Sequence, residues 1–344
     1  MLGWTAWLFL VLPARAEDGG RGLDVYFIDV MGGAATLIVT PERESVLIDS
    51  GWPGNEDRDP KRIVAALRAA GCERLDHLVT THWHVDHFGG VSGLSKLVEI
   101  GHYWDRGLPE DHDPAIDYPE GPSERDPLGA AYRRASMGKR TALKPGDSLP
   151  LRGETKAVVL AAGGRVLPAA PGSAANPACA EAPSPQPTDK SDNARSLVLR
   201  FRFGKFDFLD CGDLTWNVEQ ALVCPSDRIG PIDLYQVTHH GMDISNNPAL
   251  LKTISPTVAI MNNGPRKGGS AATVERLRAI PTIRAAYQLH RNAGTKPEEN
   301  APAELIANRG QDGGEFIHVS VRPGGERFTV QIGAAGATRE FESR

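Results

Sequence analysis

Residues 82–87, which read His-Trp-His-Val-Asp-His, constrain the fold of this chain more than any other feature of its sequence. They place three imidazoles and one carboxylate directly behind the apolar pair Leu78 and Val79. A strand that ends there releases the chain into a loop at the edge of a sheet, and such a loop can fold around metal ions. The first two imidazoles can meet one ion, and the carboxylate and last imidazole a second. A polar surface loop that is rich in histidine by chance is the weaker interpretation.

The first residues have the pattern of a secretory signal peptide. An apolar run begins near Trp4 and closes at Leu12, and residues 14–16 have the small-x-small form of a cleavage site. We expect residues 1–16 to be removed and residues 17–344 to work in the periplasm or as a secreted protein. A membrane anchor is the rival interpretation, but the run is too short to span a bilayer. No membrane anchor is therefore expected after cleavage.

Composition is that of an ordinary globular protein with a sizeable core. The 344 residues are 40% hydrophobic and 24% charged, with a net charge of −5. This charge disfavours unspecific binding to polyanions, so no stable complex with nucleic acid is expected. A nucleotide or phosphate substrate stays possible, because bound cations can supply local positive charge.

Four cysteines are present, at positions 72, 179, 211 and 224. An exported protein can oxidise them, and one disulfide is plausible, but the sequence does not assign the pair. Their spacing lacks the CxxC pattern, which argues against a structural zinc knuckle. Cys211 stands two residues before Asp213, and a small buried residue at a strand end explains it better than a role near the metals.

Apolar runs separated by turn residues predict strands and helices that alternate in two similar halves. The first half has strands at 25–28, 37–39, 46–48 and just before residue 82, with a helix between the last two that Gly71 closes. The second half has hairpins at 197–209 and 316–332, strands at 234–237 and 258–261, and helices near 218–222 and 274–277. Acidic or histidine residues stand at the strand ends, where α/β enzymes build their sites.

Two irregular stretches interrupt this pattern. Residues 104–147 are rich in Asp, Pro and Gly, with a short helix near Leu128 and Tyr132, and a loop of this length often covers a functional site. Residues 162–192 are rich in Ala, Pro, Gly and Ser and have few large apolar groups, which predicts a flexible insertion. We interpret residues 17–344 as a single domain with these two insertions.

Several separated motifs together resemble the metallo-β-lactamase fold, an αββα sandwich of metal-dependent hydrolases. Residues 47–51 resemble its first Asp motif and residues 82–87 its HxHxDH signature. Gly212-Asp213 resembles the motif of the bridging carboxylate, and residues 239–241 resemble the last His motif. The combination is far more specific than any one motif.

Within this superfamily the chain is most similar to the branch of ComEC-type DNA-uptake proteins and secreted phosphorylcholine esterases. Residues 27–30, Asn193 before residues 196–199, residues 211–213 and residues 237–241 carry this resemblance. Residues 31–35 depart from the Gly-Gln-Gly-Asp-Ala of the branch, and Met242 replaces its usual Ser. These departures bear on the substrate and leave the metal motifs intact.

The resemblance implies two divalent ions, with zinc favoured over manganese. The implied metal ligands are His82 and His84 for one ion, Asp86, His87 and His240 for the other, and Asp213 between them. The third His motif of the family is absent, since the interval before Asp213 holds only His102 and His112. Water, substrate oxygen, Asp192 or Asn193 would complete the first ion's shell.

The resemblance also implies supporting roles around the ligands. Asp49 would fix a ligand imidazole from its far nitrogen, and Asn193 would lie in the same outer shell. His240 would bind metal while its neighbour His239 faces the substrate, since side chains alternate along a strand unless the chain turns. The candidate catalytic residues are Asp86, Asp213 and His239. We expect the other histidines, at 77, 102, 112, 290 and 318, to be surface or core residues.

The implied function is hydrolysis of a phosphodiester or phosphomonoester, in a small molecule or a nucleic acid, by a hydroxide that bridges the two ions. A second hypothesis is attack of the same hydroxide on a carbonyl, as in a lactonase or β-lactamase. The missing third His motif and the Gly-Asp and His-His-Gly motifs favour the phosphoester branch. A non-catalytic exported binding module is the third hypothesis, and the intact ligand set argues against it.

Overall fold

The computed structural model describes residues 20–111, 121–310 and 313–344. The predicted signal peptide and His112 lie outside these ranges. Within them the chain forms two mixed β-sheets packed face to face, with helices on the outer face of each sheet. The αββα sandwich predicted from the sequence is confirmed.

The first half of the chain builds most of one sheet. Its strands are β1 (Leu23–Phe27), β2 (Thr36–Val39), β3 (Ser45–Ile48), β4 (Leu75–Val79), β5 (Ile100–Asp105) and β6 (Arg140–Ala142). Its helices are α1 (Arg58–Ala69), α2 (Val85–Phe88), α3 (Val91–Leu97) and α4 (Pro127–Ser136). The strands follow one another in chain order across the sheet, from β1 to β6.

The second half builds the other sheet and then returns to the first. Its strands are β7 (Lys156–Ala162), β8 (Arg165–Val166), β9 (Val198–Phe203), β10 (Phe206–Asp210), β11 (Leu234–Gln236), β12 (Val258–Met261), β13 (Ala285–His290) and β14 (Ile306–Asn308). Its helices are α5 (Trp216–Val223), α6 (Pro248–Ile254) and α7 (Ala271–Arg278). The last strands, β15 (Ile317–Val321), β16 (Arg327–Ile332) and β17 (Thr338–Glu342), join the first sheet through the pairing of β15 with β1.

Three apolar layers hold the sandwich together. Side chains of both sheets meet in the central layer, which contains Phe27, Phe201 and Phe208. One outer layer packs α1, α3 and α4 on the first sheet, and the other packs α5, α6 and α7 on the second. The central strands of each sheet are therefore buried on both faces, which explains why they read as continuous apolar runs.

Parallel pairing brings the predicted site residues to one edge. Strands β3, β4 and β5 are parallel neighbours in the first sheet, and β10, β11, β12 and β13 are parallel neighbours in the second. Their carboxyl ends therefore point to the same edge of each sheet. The chain leaves β3 at Asp49, β4 before His82, β10 before Asp213 and β11 before His239.

Both insertions are fastened to this edge. The 104–147 stretch contains α4, whose Tyr132 is fully buried and packs edge-to-face against Trp83 of the signature loop. The 162–192 stretch is cross-linked to the end of α5 by the disulfide Cys179–Cys224. At its far end, Asp192 accepts a hydrogen bond of 2.6 Å from the backbone nitrogen of Trp83. The remaining cysteines, Cys72 and Cys211, are free and buried.

Among the described residues, none of the helices has both the length and the apolar character that crossing a membrane requires.

Asp233, which lies just before β11, gives a test of the second sheet that is independent of the site. Burial raises the pKa of Asp233 to about 6, although its carboxylate accepts backbone hydrogen bonds from Asp207 and Arg344. The protonated form is favoured in the folded state, so its contribution is complete below about pH 4 and is lost as the pH rises through about 6. We expect Asp233→Asn to remove about 2 kcal/mol of this pH dependence.

Urea unfolding at about pH 4 and pH 7 measures how Asp233→Asn changes the pH dependence of the unfolding free energy. The exposed Asp243→Asn variant is the control and should show the wild-type change in unfolding free energy between the two pH values. Equal pH dependence in Asp233→Asn and wild type would contradict the raised pKa.

Candidate metal centre

Four buried side chains from distant parts of the chain converge at the shared edge of the two sheets. They are Asp86, His87, Asp213 and His240, and their ligand atoms all lie within 4.8 Å of one another. These are the residues that the sequence assigned to the second ion and to the bridge.

The spacing of these atoms fits a tetrahedral ion. The Nε2 atom of His87 lies 3.2 Å from Nε2 of His240, 3.2 Å from Oδ2 of Asp213 and 3.3 Å from Oδ2 of Asp86. Nε2 of His240 lies 3.2 Å from each of the same two oxygens. A tetrahedral zinc with bonds of about 2.0–2.1 Å separates its ligand atoms by about 3.3 Å. The residues present therefore fit a divalent cation.

Hydrogen bonds behind the imidazoles turn their free nitrogens toward the cluster. Nδ1 of His87 lies 2.7 Å from Oδ2 of Asp49, and Nδ1 of His240 lies 3.2 Å from the backbone oxygen of Asn262. Both Nδ1 atoms face acceptors and must carry a proton, which leaves a lone pair on each Nε2. Two lone pairs and two carboxylate oxygens then face one another. These electron-rich atoms repel unless a positive charge lies between them.

A second pair of imidazoles lies beside the first group. Nε2 of His82 is 3.1 Å from Nδ1 of His84 and 4.0 Å from Oδ2 of Asp213. The same Asp213 oxygen therefore faces both groups, as the bridging prediction requires. The hydroxyl of Thr81 donates to Asp49 at 2.7 Å and lies 3.0 Å from Nδ1 of His82. Asp49 thus orients His87 directly and His82 through Thr81.

The last histidine pair sits on a turn and not on an extended strand end. His239 and His240 both have positive φ, at 57° and 53°, so the expected alternation of side chains does not apply. Nε2 of His239 lies 3.5 Å from Oδ2 of Asp213 and 3.3 Å from Nδ2 of Asn193. Both rings therefore reach the cluster, and Asn193 contacts His239 directly.

No third histidine joins His82 and His84 from the interval before Asp213, within the ranges that the structure describes. His102 bonds the hydroxyl of Thr141 on β6 and packs against Trp104. The side chain that reaches the site here is instead Asn193, which directly follows the 162–192 stretch, and Asp192 holds the signature loop from behind.

Charge interactions at the cluster favour a cation. Burial alone would raise the pKa of Asp213, but the adjacent His240 and His87 hold it well below its usual range. Burial alone would lower the pKa of His87, but Asp213, Asp86 and Asp49 raise it well above its ordinary value. Burial and the neighbouring His87 lower the pKa of His82 well below its ordinary value. The cluster stabilises positive charge between its carboxylates, which is what a divalent ion supplies.

Lys267 is a cation at this centre that the sequence did not predict. Its ammonium forms an ion pair with Asp86 and lies 5.2 Å from the ring centroid of Trp52. The 264–269 loop carries it close to the ligands because Gly268 has a φ of 74° and a Cβ there would collide with the backbone of His240. The glycines around Lys267 were the sequence signal for this position, since they indicate that the loop backbone packs closely against another part of the chain.

The remaining histidines have local partners away from the centre. His77 lies 3.2 Å from Glu44, His290 lies 2.7 Å from Asp29, and His318 lies 2.8 Å from Asp24. They agree with their interpretation as core or surface residues.

Comparison with known proteins relates part of the chain to a family. Residues 28–177 match the model of the metallo-beta-lactamase superfamily. This part of the chain is a metallo-beta-lactamase-type domain. Members of this superfamily are generally metal-dependent hydrolases that use divalent metals, and the gathered Asp and His side chains of this chain fit that chemistry.

The similarity to ComEC-type proteins extends over most of the chain. It is 25% identical over 270 residues to Competence protein ComA of Neisseria gonorrhoeae, which covers 76% of this chain and 31% of the relative. It is 26% identical over 274 residues to ComE operon protein 3 of Bacillus subtilis, and this match covers 75% of this chain and 30% of the relative. The chain thus spans about a third of the length of these relatives.

Among solved structures, a mutant of CmlA beta-hydroxylase superposes with a TM-score of 0.48 and 18% identity, covering 78% of this chain and 52% of that one.

Proposed function

We propose that the chain is an exported hydrolase of phosphate esters that works with two divalent ions, zinc in preference to manganese. The position of Asp213 carries the proposal. One of its oxygens faces the His87–His240 group at 3.2 Å and the His82 ring at 4.0 Å. A carboxylate shared in this way suits a pair of cations that holds both the attacking and the leaving oxygen of an in-line displacement at phosphorus.

The side chains divide the work around this carboxylate. When bound, the cations would supply an acidified water and neutralise charge on the phosphate oxygens. Asp86, His87 and His240 hold one position, His82 and His84 the other, and Asp49 keeps the imidazoles in the tautomer that presents a lone pair. Three of these residues act as a preorganised frame, because the rings of His82, His87 and His240 are buried and hydrogen-bonded from behind.

His239 is the candidate proton donor or hydrogen-bond donor to the leaving oxygen. Its Nδ1 lies 3.0 Å from the hydroxyl of Ser245, which itself donates to the backbone oxygen of Leu214 at 2.7 Å. Ser245 therefore accepts from Nδ1, and Nε2 faces Asp213 and the substrate space. Burial lowers the pKa of His239, so the neutral ring keeps its proton on Nδ1, and Nε2 has to take up a proton during the reaction before it can donate to the leaving oxygen.

Lys267 is the candidate group that receives the anionic substrate. Its side chain is about a third exposed, with 32% of its surface accessible, while its ammonium contacts the ligand Asp86. A partly exposed ammonium at the mouth of the cluster can pair with a phosphate oxygen without moving the loop that carries it.

Small phosphate esters and nucleic acids are the proposed substrates. The resemblance to ComEC-type DNA-uptake proteins supports a nucleic-acid substrate, and the net charge of −5 argues against a lasting complex with it. The Cys179–Cys224 disulfide supports a periplasmic or secreted location, because disulfides persist in oxidising compartments.

A metal-dependent activity screen tests the function. Chelator-treated protein is reloaded with Zn²⁺ or Mn²⁺ and given bis-nitrophenyl phosphate, nitrophenyl phosphate and nitrocefin. We expect hydrolysis of the phosphate esters only in the reloaded protein, and no hydrolysis of nitrocefin. Turnover of nitrocefin without turnover of either phosphate would replace the proposal with the carbonyl hydrolase. Absence of bound metal and of any turnover would favour the non-catalytic binding module.

A further inference from the structure

A pocket opens beside the carboxyl ends of β13 and β14, at one edge of the second sheet. It is a cavity of about 460 Å³ between α7 and the segments that follow β13 and β14. Three guanidinium groups line it, those of Arg278, Arg291 and Arg309, against the single carboxylate of Glu298. We call it the arginine pocket. Its lining carries an excess of positive charge in a protein whose net charge is negative.

The wall of the arginine pocket is preorganised. The guanidinium of Arg278 donates to the backbone oxygens of Glu298 at 3.0 Å and of Asn300 at 2.6 Å. Asn300 is 2% exposed, and its side chain bonds the backbone of Asn292 and the hydroxyl of Thr295. These bonds fix the 291–301 segment, so Arg278 keeps its position and its charge while most of its N–H groups stay free.

The other two arginines are adjacent and without partners. The backbone nitrogen of Arg291 donates to the backbone oxygen of Asn308 at 3.2 Å, which places Arg291 beside Arg309. Both side chains are exposed, and within the described ranges neither guanidinium has a hydrogen-bonding or ion-pair partner. Like charges that share a cavity repel each other, and a bound anion relieves that repulsion.

Two contacts connect the arginine pocket to the metal cluster through the loop at 264–269. The side chain of Asn292, next to Arg291, donates to the backbone oxygen of Gly268 at 2.7 Å. Lys267, which precedes Gly268, contacts the ligand Asp86. The segment that carries Arg291 is therefore hydrogen-bonded to the loop that reaches the cluster.

We propose that the arginine pocket is a binding site for a phosphate group, the one that neighbours the scissile phosphate in a substrate with two or more phosphates. Guanidinium groups bind phosphate oxygens through paired N–H donors, and unpaired arginines on a fixed wall suit this geometry. The assignment to the substrate rests on the proposed phosphoesterase function, whereas anion binding by the pocket does not. Free inorganic phosphate has the same chemistry and is the other source of such a ligand.

Calorimetric titration of the metal-free protein tests the binding without catalysis. The probes are tripolyphosphate and inorganic phosphate, added after the chelator has been removed by dialysis. We expect Arg291→Gln combined with Arg309→Gln to weaken tripolyphosphate binding by at least about tenfold. Arg68→Gln, an exposed arginine on α1, is the matched control and should bind as wild type does. Equal affinity in the double variant and wild type would overturn the proposal.

Steady-state kinetics of the metal-loaded protein tests the link to the substrate. We expect the double variant to raise KM for a dinucleotide with a flanking phosphate by about tenfold and to leave kcat and the turnover of bis-nitrophenyl phosphate unchanged. An unchanged KM alongside weakened tripolyphosphate binding would show that the pocket takes free phosphate and would overturn its assignment to the substrate. Because the titration uses no turnover, a failure of the phosphoesterase proposal leaves its result standing.

Discussion

Asp213→Asn is expected to reduce phosphodiester turnover by about a thousandfold and to lower the amount of bound metal. The carboxylate oxygen that faces both groups of imidazoles is replaced by a neutral amide, which cannot balance two cations. The substitution keeps the shape of the side chain. It also leaves in place the hydrogen bond of 3.2 Å from the backbone nitrogen of Asp213 to the hydroxyl of Ser196. The fold should therefore survive, and the substitution should reduce only metal binding and turnover at the centre.

Turnover of bis-nitrophenyl phosphate and metal content by mass spectrometry measure the effect of Asp213→Asn. Asp147→Asn, at an exposed turn, is the control and should match wild type in both. Thermal unfolding of the metal-free proteins separates loss of the site from loss of the fold. A variant that retains its metal and its full turnover would remove Asp213 from the centre.

Asp49→Asn is expected to weaken metal binding by about 10–100-fold, with a similar loss of turnover. Asp49 accepts from Thr81 N at 2.8 Å and from the Thr81 hydroxyl at 2.7 Å, and it faces Nδ1 of His87 at 2.7 Å. An amide offers only one acceptor oxygen for these three donors. Its NH₂ group would favour the wrong tautomer of His87, with a proton on the nitrogen that faces the ion.

The choice of asparagine keeps the backbone of this turn. Asp49 has a φ of 61°, a region that Asn tolerates better than most residues. Thr81→Ser retains the hydroxyl between Asp49 and His82 and is the control, with metal affinity expected at the wild-type level. Competition titration with a chromophoric chelator measures the affinities. Asp49→Asn with wild-type affinity would show that the carboxylate does not set the tautomer of His87.

The metal ligands could be predicted because they directly follow apolar strands and, in residues 82–87, are closely spaced in the sequence. Residues 82–87 follow an apolar strand of the first sheet, and Asp213 and His240 each follow a strand of the second. Parallel pairing within each sheet and face-to-face packing of the sheets then bring them to one edge. Strands β5, β6, β7, β8, β13, β14 and β17 were not predicted, and β6 lies in the 104–147 stretch that was expected to be irregular apart from one short helix. Strand β13 reads Ala-Ala-Tyr-Gln-Leu-His and β17 reads Thr-Arg-Glu-Phe-Glu, and neither shows the dense β-branched pattern of the central strands.

Other contributions depend on contacts that no local pattern encodes. Lys267 lies 181 residues from the Asp86 that it contacts, on a loop whose course is set by the packing of glycines. The positive φ of both His239 and His240 is a tertiary effect, because β-strand alternation predicted opposite directions for their rings. The pairing of Cys179 with Cys224 was open for the same reason, since spacing along the chain does not report distance in space.

The Cys179–Cys224 cross-link has a consequence for the unfolded chain. It closes a covalent ring across a sequence separation of 45, and this ring contains both Asn193 and Asp213. In the chain-entropy description, a ring of this size destabilises the unfolded state by about 4 kcal/mol. A molecule that unfolds in the oxidised state therefore keeps two contributors to the centre on one tether, so refolding searches fewer arrangements to bring them together.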